Sequence, residues 1–176
     1  MRFKKIHLKR TKSTNDIAIM QIKKNKISPT IITSDIQSNG RGRQGKKWIS
    51  LKGNLFMSIY FQIKKDLSLN EITKANCIII KNAIKKIINK KLLIKHPNDI
   101  LINKKKICGI LQETLTHNSK KFLVVGIGIN ITKKPVIRNY LTGSLKEYTK
   151  KKLNKSRLFD LIEKGFREKY LNVLNR

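Results

Sequence analysis

Hydrophobic positions along the chain follow two periods. Leu55, Met57, Ile59, Phe61 and Ile63 alternate with Phe56, Ser58, Tyr60 and Gln62, which predicts a strand with one buried face. A second strand spans 122–131, with Leu123, Val125, Ile127 and Ile129 on one face. Residues 100–102 and 107–114 read as a hairpin around Asn103-Lys104-Lys105, and 30–33 as a brief strand. Helical spacing occurs three times. Ile17, Met20 and Gln21 follow the N-cap-rich stretch 11–16, so a short helix starts near Asn15. Ile72, Ala75, Ile79, Ala83 and Ile87 follow a capping box at Ser68-Leu69-Asn70-Glu71 and predict a long central helix. Ser156 reads as the cap of a last helix carrying Phe159, Ile162, Phe166 and Tyr170. The order is helix, strands, helix, strands, helix, joined by hairpins rather than crossovers. It predicts an α+β fold, a mixed sheet with helices packed on one side. The 176 residues suit one domain, with no internal repeat and no Pro/Gly-rich linker.

Composition narrows the class. With 39% hydrophobic and 29% charged residues the chain is globular. No segment approaches the roughly 20 apolar residues a membrane span needs. Nothing apolar follows Met1-Arg2-Phe3-Lys4-Lys5, so neither a signal peptide nor a membrane partner is expected, and the expected location is cytoplasmic. Cys77 and Cys108 form no CxxC pair or Cys/His cluster, which leaves zinc and disulfides unsupported. Cys108 sits in an apolar run and reads as a small buried filler. His7, His96 and His117 lack metal-ligand spacing. The net charge of +31 raises the reading of a basic nucleic-acid-binding protein without catalysis. Yet the lysines are spread through every segment together with many Ile and Asn, as a biased composition would also produce. No basic helix or aromatic platform gathers on one face, so specific DNA binding is not expected.

Four stretches carry candidate chemistry. Gly40-Arg41-Gly42-Arg43-Gln44-Gly45 matches GxGxxG, but a strand rather than a helix follows it, so the dinucleotide reading fails on context. It lies in a polar segment, 34–53, too long for a simple turn. In an extended conformation Arg41 and Arg43 point the same way and could clamp a phosphate or carboxylate. Trp48 beyond them could stack on a purine or cap an apolar ligand. The same stretch also reads as a flexible basic loop with a core tryptophan. Lys95-His96-Pro97-Asn98-Asp99 places an ammonium at a strand end, or is an ordinary turn. In Lys106-Ile107-Cys108-Gly109-Ile110-Leu111-Gln112-Glu113, Gly109 permits close approach of a ligand or of backbone. In Gly126-Ile127-Gly128-Ile129-Asn130, two glycines clear space on the face from which Asn130 points.

Taken in order, these stretches resemble the biotin protein ligase family. Ser13-Thr14-Asn15, the segment from Gln37 to Trp48, Gly53-Asn54-Leu55 and Gly143-Ser144-Leu145 add to the likeness, which covers about residues 11–170. The resemblance implies the biotin–lipoate ligase catalytic fold, like that of class II aminoacyl-tRNA synthetases. It implies a two-step reaction: biotin's carboxylate attacks the α-phosphate of ATP, and a lysine of a biotin carboxyl carrier protein then attacks biotinoyl-5′-AMP. Two anions must meet, so positive charge has to neutralise them. The resemblance assigns catalysis to Lys95, Arg41 and Arg43. It assigns biotin binding to Ser13, Thr14, Asn15, Gln37, Arg41, Gly42, Arg43, Lys95 and Gly109, and the adenylate to Arg43, Trp48, Asn98, Lys106 and Asn130. Magnesium is expected with ATP, its ligands unreadable, and a homodimer through a sheet edge is carried as an expectation. The chain departs from the family in three ways. His96 stands where the family usually has tryptophan. The match covers a single catalytic domain, 1–176, without an N-terminal helix-turn-helix. It also lacks a C-terminal β-barrel domain. A lipoate or octanoate ligase shares the fold and is the rival reading, against which the arginine loop and the Lys95–Asp99 turn weigh.

Overall fold

A computed structural model describes residues 2–64 and 68–171, so the expected domain, 1–176, includes some positions outside the described residues. The strands are β1 (Lys4–Thr11), β2 (Thr30–Gln37), β3 (Leu55–Ile63), β4 (Leu93–Lys95), β5 (Asp99–Ile102), β6 (Lys105–His117) and β7 (Lys120–Ile129). The α-helices are α1 (Thr14–Lys23), α2 (Leu69–Lys85) and α3 (Lys155–Phe166), with Arg167–Leu171 continuing α3 as a wider turn. One seven-stranded sheet takes the order β1-β2-β3-β7-β6-β5-β4. β1 and β2 run parallel and all other neighbours antiparallel, which makes the sheet mixed as predicted.

β3 has the predicted bounds but is buried on both faces. Met57, Ile59 and Phe61 pack with Ile80 and Ile84 of α2 and with Ile162 and Phe166 of α3. Tyr60 packs on the opposite face with Ala18 and Ile22 of α1 and with Ile32, Phe122 and Val124. Fully burying a side chain such as Phe61 or Ile80 contributes roughly 1.5–3 kcal/mol. The helices therefore flank the sheet on two sides, and the one-sided packing read from the sequence is corrected. Alternation is blind to this, because Phe56 and Tyr60 are apolar on the second face as well.

β1 is the element the sequence reading missed. Its Lys and Arg positions are largely exposed, while Ile6 and Leu8 are partly buried against the α1 cluster. Charged edges of this kind discourage pairing with other chains. Because β1 and β2 are parallel, α1 is the crossover between them, so the connections are not all hairpins. Two of the connections are tight turns with positive φ at both central residues, Asn103-Lys104 and Asn118-Ser119, the geometry that two-residue hairpins prefer. Ser68 caps α2 as read. Asn154, not Ser156, caps α3 by accepting from the Arg157 N–H at 3.0 Å, and this start sets Leu158, Ile162 and Phe166 on the core face. Among the described residues, no helix is long and apolar enough to cross a membrane.

Candidate active site

A cavity of about 560 Å³ opens on the sheet face that carries α1, within the about 300–1,000 Å³ usual for small-molecule sites. Its walls are the start of α1, the segment after β2, the 96–99 turn and the strands β6 and β7. Ser13, Thr14, Asn15, Gln37, Arg41, Gly42, Arg43, Trp48, Lys95, Asn98, Lys106 and Gly109 all line it. Of the residues assigned to catalysis, biotin or the adenylate from sequence, Asn130 alone lies outside this lining, on a small neighbouring pocket behind Trp48.

The room comes from missing side chains. A Cβ on Gly128 would lie 2.4 Å from Trp48 Cε2, and one on Gly109 2.7 Å from Trp48 Cζ3. The indole thus lies across two glycines on adjacent strands, which face each other in register. Gly126 does the same for Asn15, whose Oδ1 would be 2.4 Å from an added Cβ. Lys106 Nζ pairs with Asp99 Oδ1 at 2.8 Å and stands 5.5 Å from the ring centres of both Trp48 and Tyr140.

The α1 side of the cavity is a closed polar network. Ser13 caps α1, accepting from the Asp16 N–H at 3.4 Å. Gln37 Oε1 accepts from the Thr14 N–H at 2.8 Å, and its Nε2 donates to Ser50 Oγ at 3.1 Å. Ser58 Oγ lies 2.5 Å from Asn15 Oδ1 and 2.7 Å from Thr14 Oγ1. A hydroxyl has one proton, and the amide oxygen can only accept. Ser58 therefore donates to Asn15, and the single Thr14 hydroxyl proton serves either Ser58 or Gln37 Oε1, 3.0 Å away. Asn15 Nδ2 donates to Glu113 Oε2 at 2.7 Å, and Arg41 donates to both Glu113 oxygens, at 2.9 and 2.7 Å.

The other side is built from cations. Gly40–Trp48 folds back on itself, with Gly42 N–H donating to Lys46 O at 2.7 Å and Trp48 N–H to Gly40 O at 2.8 Å. The tip is a tight turn in which Gln44 has φ 54° and Gly45 φ 71°. Arg43 enters this turn, so Arg41 and Arg43 are not the parallel clamp that an extended loop predicts. Arg41 is tied to carboxylates. Arg43 and Lys95 are exposed and have no ion-pair partner among the described residues. Lys46, Lys47 and Lys104 add positive charge around Lys106, while Asp99 is the single carboxylate among the lining residues. His96, on the same lining, is exposed.

Two asparagines serve the scaffold. Asn98 Nδ2 donates to Ile110 O at 2.8 Å and its backbone oxygen accepts from Ile110 N–H at 2.9 Å, which pins the turn to β6. Asn130 is buried and donates to Gly143 O at 3.1 Å. Its neighbour Asn54 accepts from three successive N–H groups, Ile131, Thr132 and Lys133, and so shapes the chain leaving β7. Cys77 and Cys108 are buried. Burial, and then Asp99, pushes the Cys77 thiol up to about 11, and burial first of all holds Cys108 well above the usual thiol range, so neither thiol is a ready nucleophile.

Glu113, Asp16 and Ser58 have no role in the sequence reading. The period-two pattern that places Gly109 on the cavity face also places Leu111 and Glu113 there. A lone hydroxyl in the apolar run of β3 is the corresponding signal for Ser58. Asp16 offers no such signal, because helix N-termini commonly carry acids.

Comparison with known proteins gives a consistent result. Residues 7–130 match the family described as the biotin/lipoate A/B protein ligase family. The chain is 34% identical over 111 residues to a bifunctional ligase/repressor of Bacillus subtilis, covering 60% of this chain and 34% of that protein. It is 38% identical over 109 residues to biotin–protein ligase 2 of Arabidopsis thaliana, covering 58% and 33%. The chain thus spans about a third of the length of these curated relatives. A solved biotin protein ligase from Aquifex aeolicus, in complex with biotin and ATP, superposes with a TM-score of 0.80 at 28% identity, covering 94% of this chain and 69% of that one.

Proposed function

The chain belongs to the biotin/lipoate A/B protein ligase family, and on that premise we propose that it activates biotin as biotinoyl-5′-AMP and transfers the acyl group to a lysine of a biotin carboxyl carrier protein. The observation that carries this reading is the division of one cavity into a floor of hydrogen-bonded hydroxyls and amides, backed by the Arg41–Glu113 ion pair, and a rim where Arg43 and Lys95 have no ion-pair partner among the described residues. Biotin has the same division, a neutral ureido ring at one end and a carboxylate at the other. The ureido ring offers N–H donors and a carbonyl acceptor, which suits Thr14, Asn15, Gln37 and Ser13. The Aquifex aeolicus structure, which holds biotin and ATP, supports the same ligand pair.

In the first step, a biotin carboxylate oxygen attacks the α-phosphorus, and the bond to the β-phosphate oxygen breaks to release pyrophosphate. Lys95 and Arg43, without an ion-pair partner among the described residues, stand at the carboxylate and phosphates and offset their repulsion. Arg41 is already neutralised by Glu113 and Asp16 and takes no part in holding anions. Trp48 and Lys106 form the adenylate wall, with Asn98 and Asn130 holding the backbone behind it. In the second step, the uncharged amine of a carrier lysine attacks the acyl carbon, AMP leaves with the bonding pair, and the amine gives up a proton. The glycine-bounded hairpin 40–48 screens the mixed anhydride from water. Magnesium would arrive on the ATP phosphates: among the described residues no cluster of three or more His, Cys, Asp or Glu is poised to hold a metal, and Asp99, Asp16 and Glu113 are each engaged by a cation. The expected homodimer would join through β4, the edge strand opposite β1, and sedimentation tests it.

The test is pyrophosphate exchange into ATP. The purified chain exchanges label when biotin is supplied, and much less with lipoate or octanoate. Equal or better exchange with the fatty acids would sink the assignment.

A further inference from the structure

Arg41 is held as a strut. Its Nη1 donates to Glu113 Oε1 at 2.9 Å and its Nη2 to Glu113 Oε2 at 2.7 Å, while Nη2 also lies 2.9 Å from Asp16 Oδ1. Two carboxylates, one on β6 and one on α1, thus share a guanidinium that belongs to the glycine hairpin. Burial disfavours the charge on Arg41, but Glu113 and then Asp16 reverse this and leave its pKa raised. Planar, two-pronged contacts of this kind fix orientation as well as distance.

Glu113 has a second task. The Oε2 that meets Arg41 also accepts from Asn15 Nδ2, and Asn15 Oδ1 accepts from Ser58. A carboxylate accepts and a hydroxyl with its proton committed donates, so the amide of Asn15 can sit only one way round. Gly126 closes the third side. We propose that Glu113 is a positioning residue with two outputs: it orients the Asn15 amide on the cavity floor, and through Arg41 it clamps the hairpin 40–48 onto α1 and β6 before any ligand arrives. The first output rests on the biotin reading of the cavity; the second stands without it.

Two substitutions in the full chain separate the outputs. Glu113→Gln keeps an acceptor for Asn15 but removes the charge pair. It should speed trypsin cleavage at Arg43, Lys46 and Lys47 of the ligand-free protein about tenfold, in line with the loss of a charge-assisted contact. The KM for biotin should rise far less, by about twofold at most, because the amide that replaces the carboxylate still offers Asn15 an acceptor. The charge swap Arg41→Glu with Glu113→Arg should restore resistance to trypsin. It should raise the KM for biotin about tenfold while the KM for ATP moves little, because an arginine cannot accept from Asn15. Unchanged cleavage in Glu113→Gln, or an unchanged KM for biotin in the charge swap, overturns the proposal. So does an equal rise in both KM values with a lowered Tm, which is what a merely structural role would produce. A wild-type protein that binds no biotin by calorimetry, while Glu113→Gln still exposes the hairpin, refutes the ligand reading and upholds the clamp.

Discussion

The two sides of the cavity are built on opposite principles. On the α1 side, Thr14, Asn15, Gln37, Ser58, Arg41 and Glu113 are bonded to one another and so held in place. On the rim, Arg43 and Lys95 project with no protein partner among the described residues. The difference teaches where each kind of recognition is affordable. A neutral ring is weakly hydrated, so it is best met by groups fixed in advance. A phosphate or carboxylate brings its own charge, and an exposed cation waits for it without the desolvation cost of a buried unpaired charge. Arginines two positions apart in one loop fall on different sides of this line because only Arg41 reaches carboxylates.

The sharpest test removes a cation from the rim. Lys95→Ala should lower biotin-dependent pyrophosphate exchange by about 100-fold or more, the size seen when one group stabilising transition-state charge is lost. Its Tm should stay near that of the wild type, since the side chain is exposed. Undiminished exchange would take Lys95 out of the mechanism. On the other side, Gly126→Ala drives a methyl group to 2.4 Å from Asn15 Oδ1. Calorimetry should then show biotin affinity falling by roughly tenfold or more; unchanged affinity would mean the floor is not preorganised. Ser58→Ala leaves the buried Asn15 oxygen without its donor, which should cost about 1–3 kcal/mol of stability by denaturant melts. Gly45→Ala meets no atom within 4 Å but sits at φ 71°, so it should cost only about 1 kcal/mol. The smallest effect concerns the segment beyond β7. Glu147 pairs with Lys134 and caps Ser144, and although burial acts to raise its pKa, these contacts hold it below the usual 4.5. A lowered carboxylate pKa stabilises the fold above pH 4.5, and that stability is lost as the pH falls through the lower folded value. Glu147→Gln should lose at most about 1 kcal/mol at pH 7 and show a shallower loss of stability on acidification. An identical acid profile would remove Glu147 from that role.

Much of the site was legible because its motifs are short and local. The glycines at 109, 126 and 128, the turn from Lys95 to Asp99 and the Ser13 cap announce themselves by residue type and spacing. All of these positions line one cavity. Glu113 was written inside the same strand motif as Gly109, yet nothing local told that its carboxylate meets Arg41, 72 positions away. Asn130 was read as pointing into open space beside the glycines, whereas its side chain is buried and bonded to Gly143 and Asn54. Among the strands, β3 was readable from strong alternation, whereas β1 was not, because an edge strand buries too little of itself to impose a period.

Sequence alone determined the number of major helices, the central strands and the residue types that bring positive charge and neutral amides to this protein. Those are consequences of propensity and periodicity, which act over a few residues. Only the tertiary structure decided that α1 lies on the opposite face from α2 and α3, that Asn15 is turned one way by Glu113 and Ser58, and that Arg41 is paired where Arg43 has no ion-pair partner among the described residues. Each of these depends on pairing between distant segments, where a hydrogen bond or ion pair forms only once the sheet has brought its partners together.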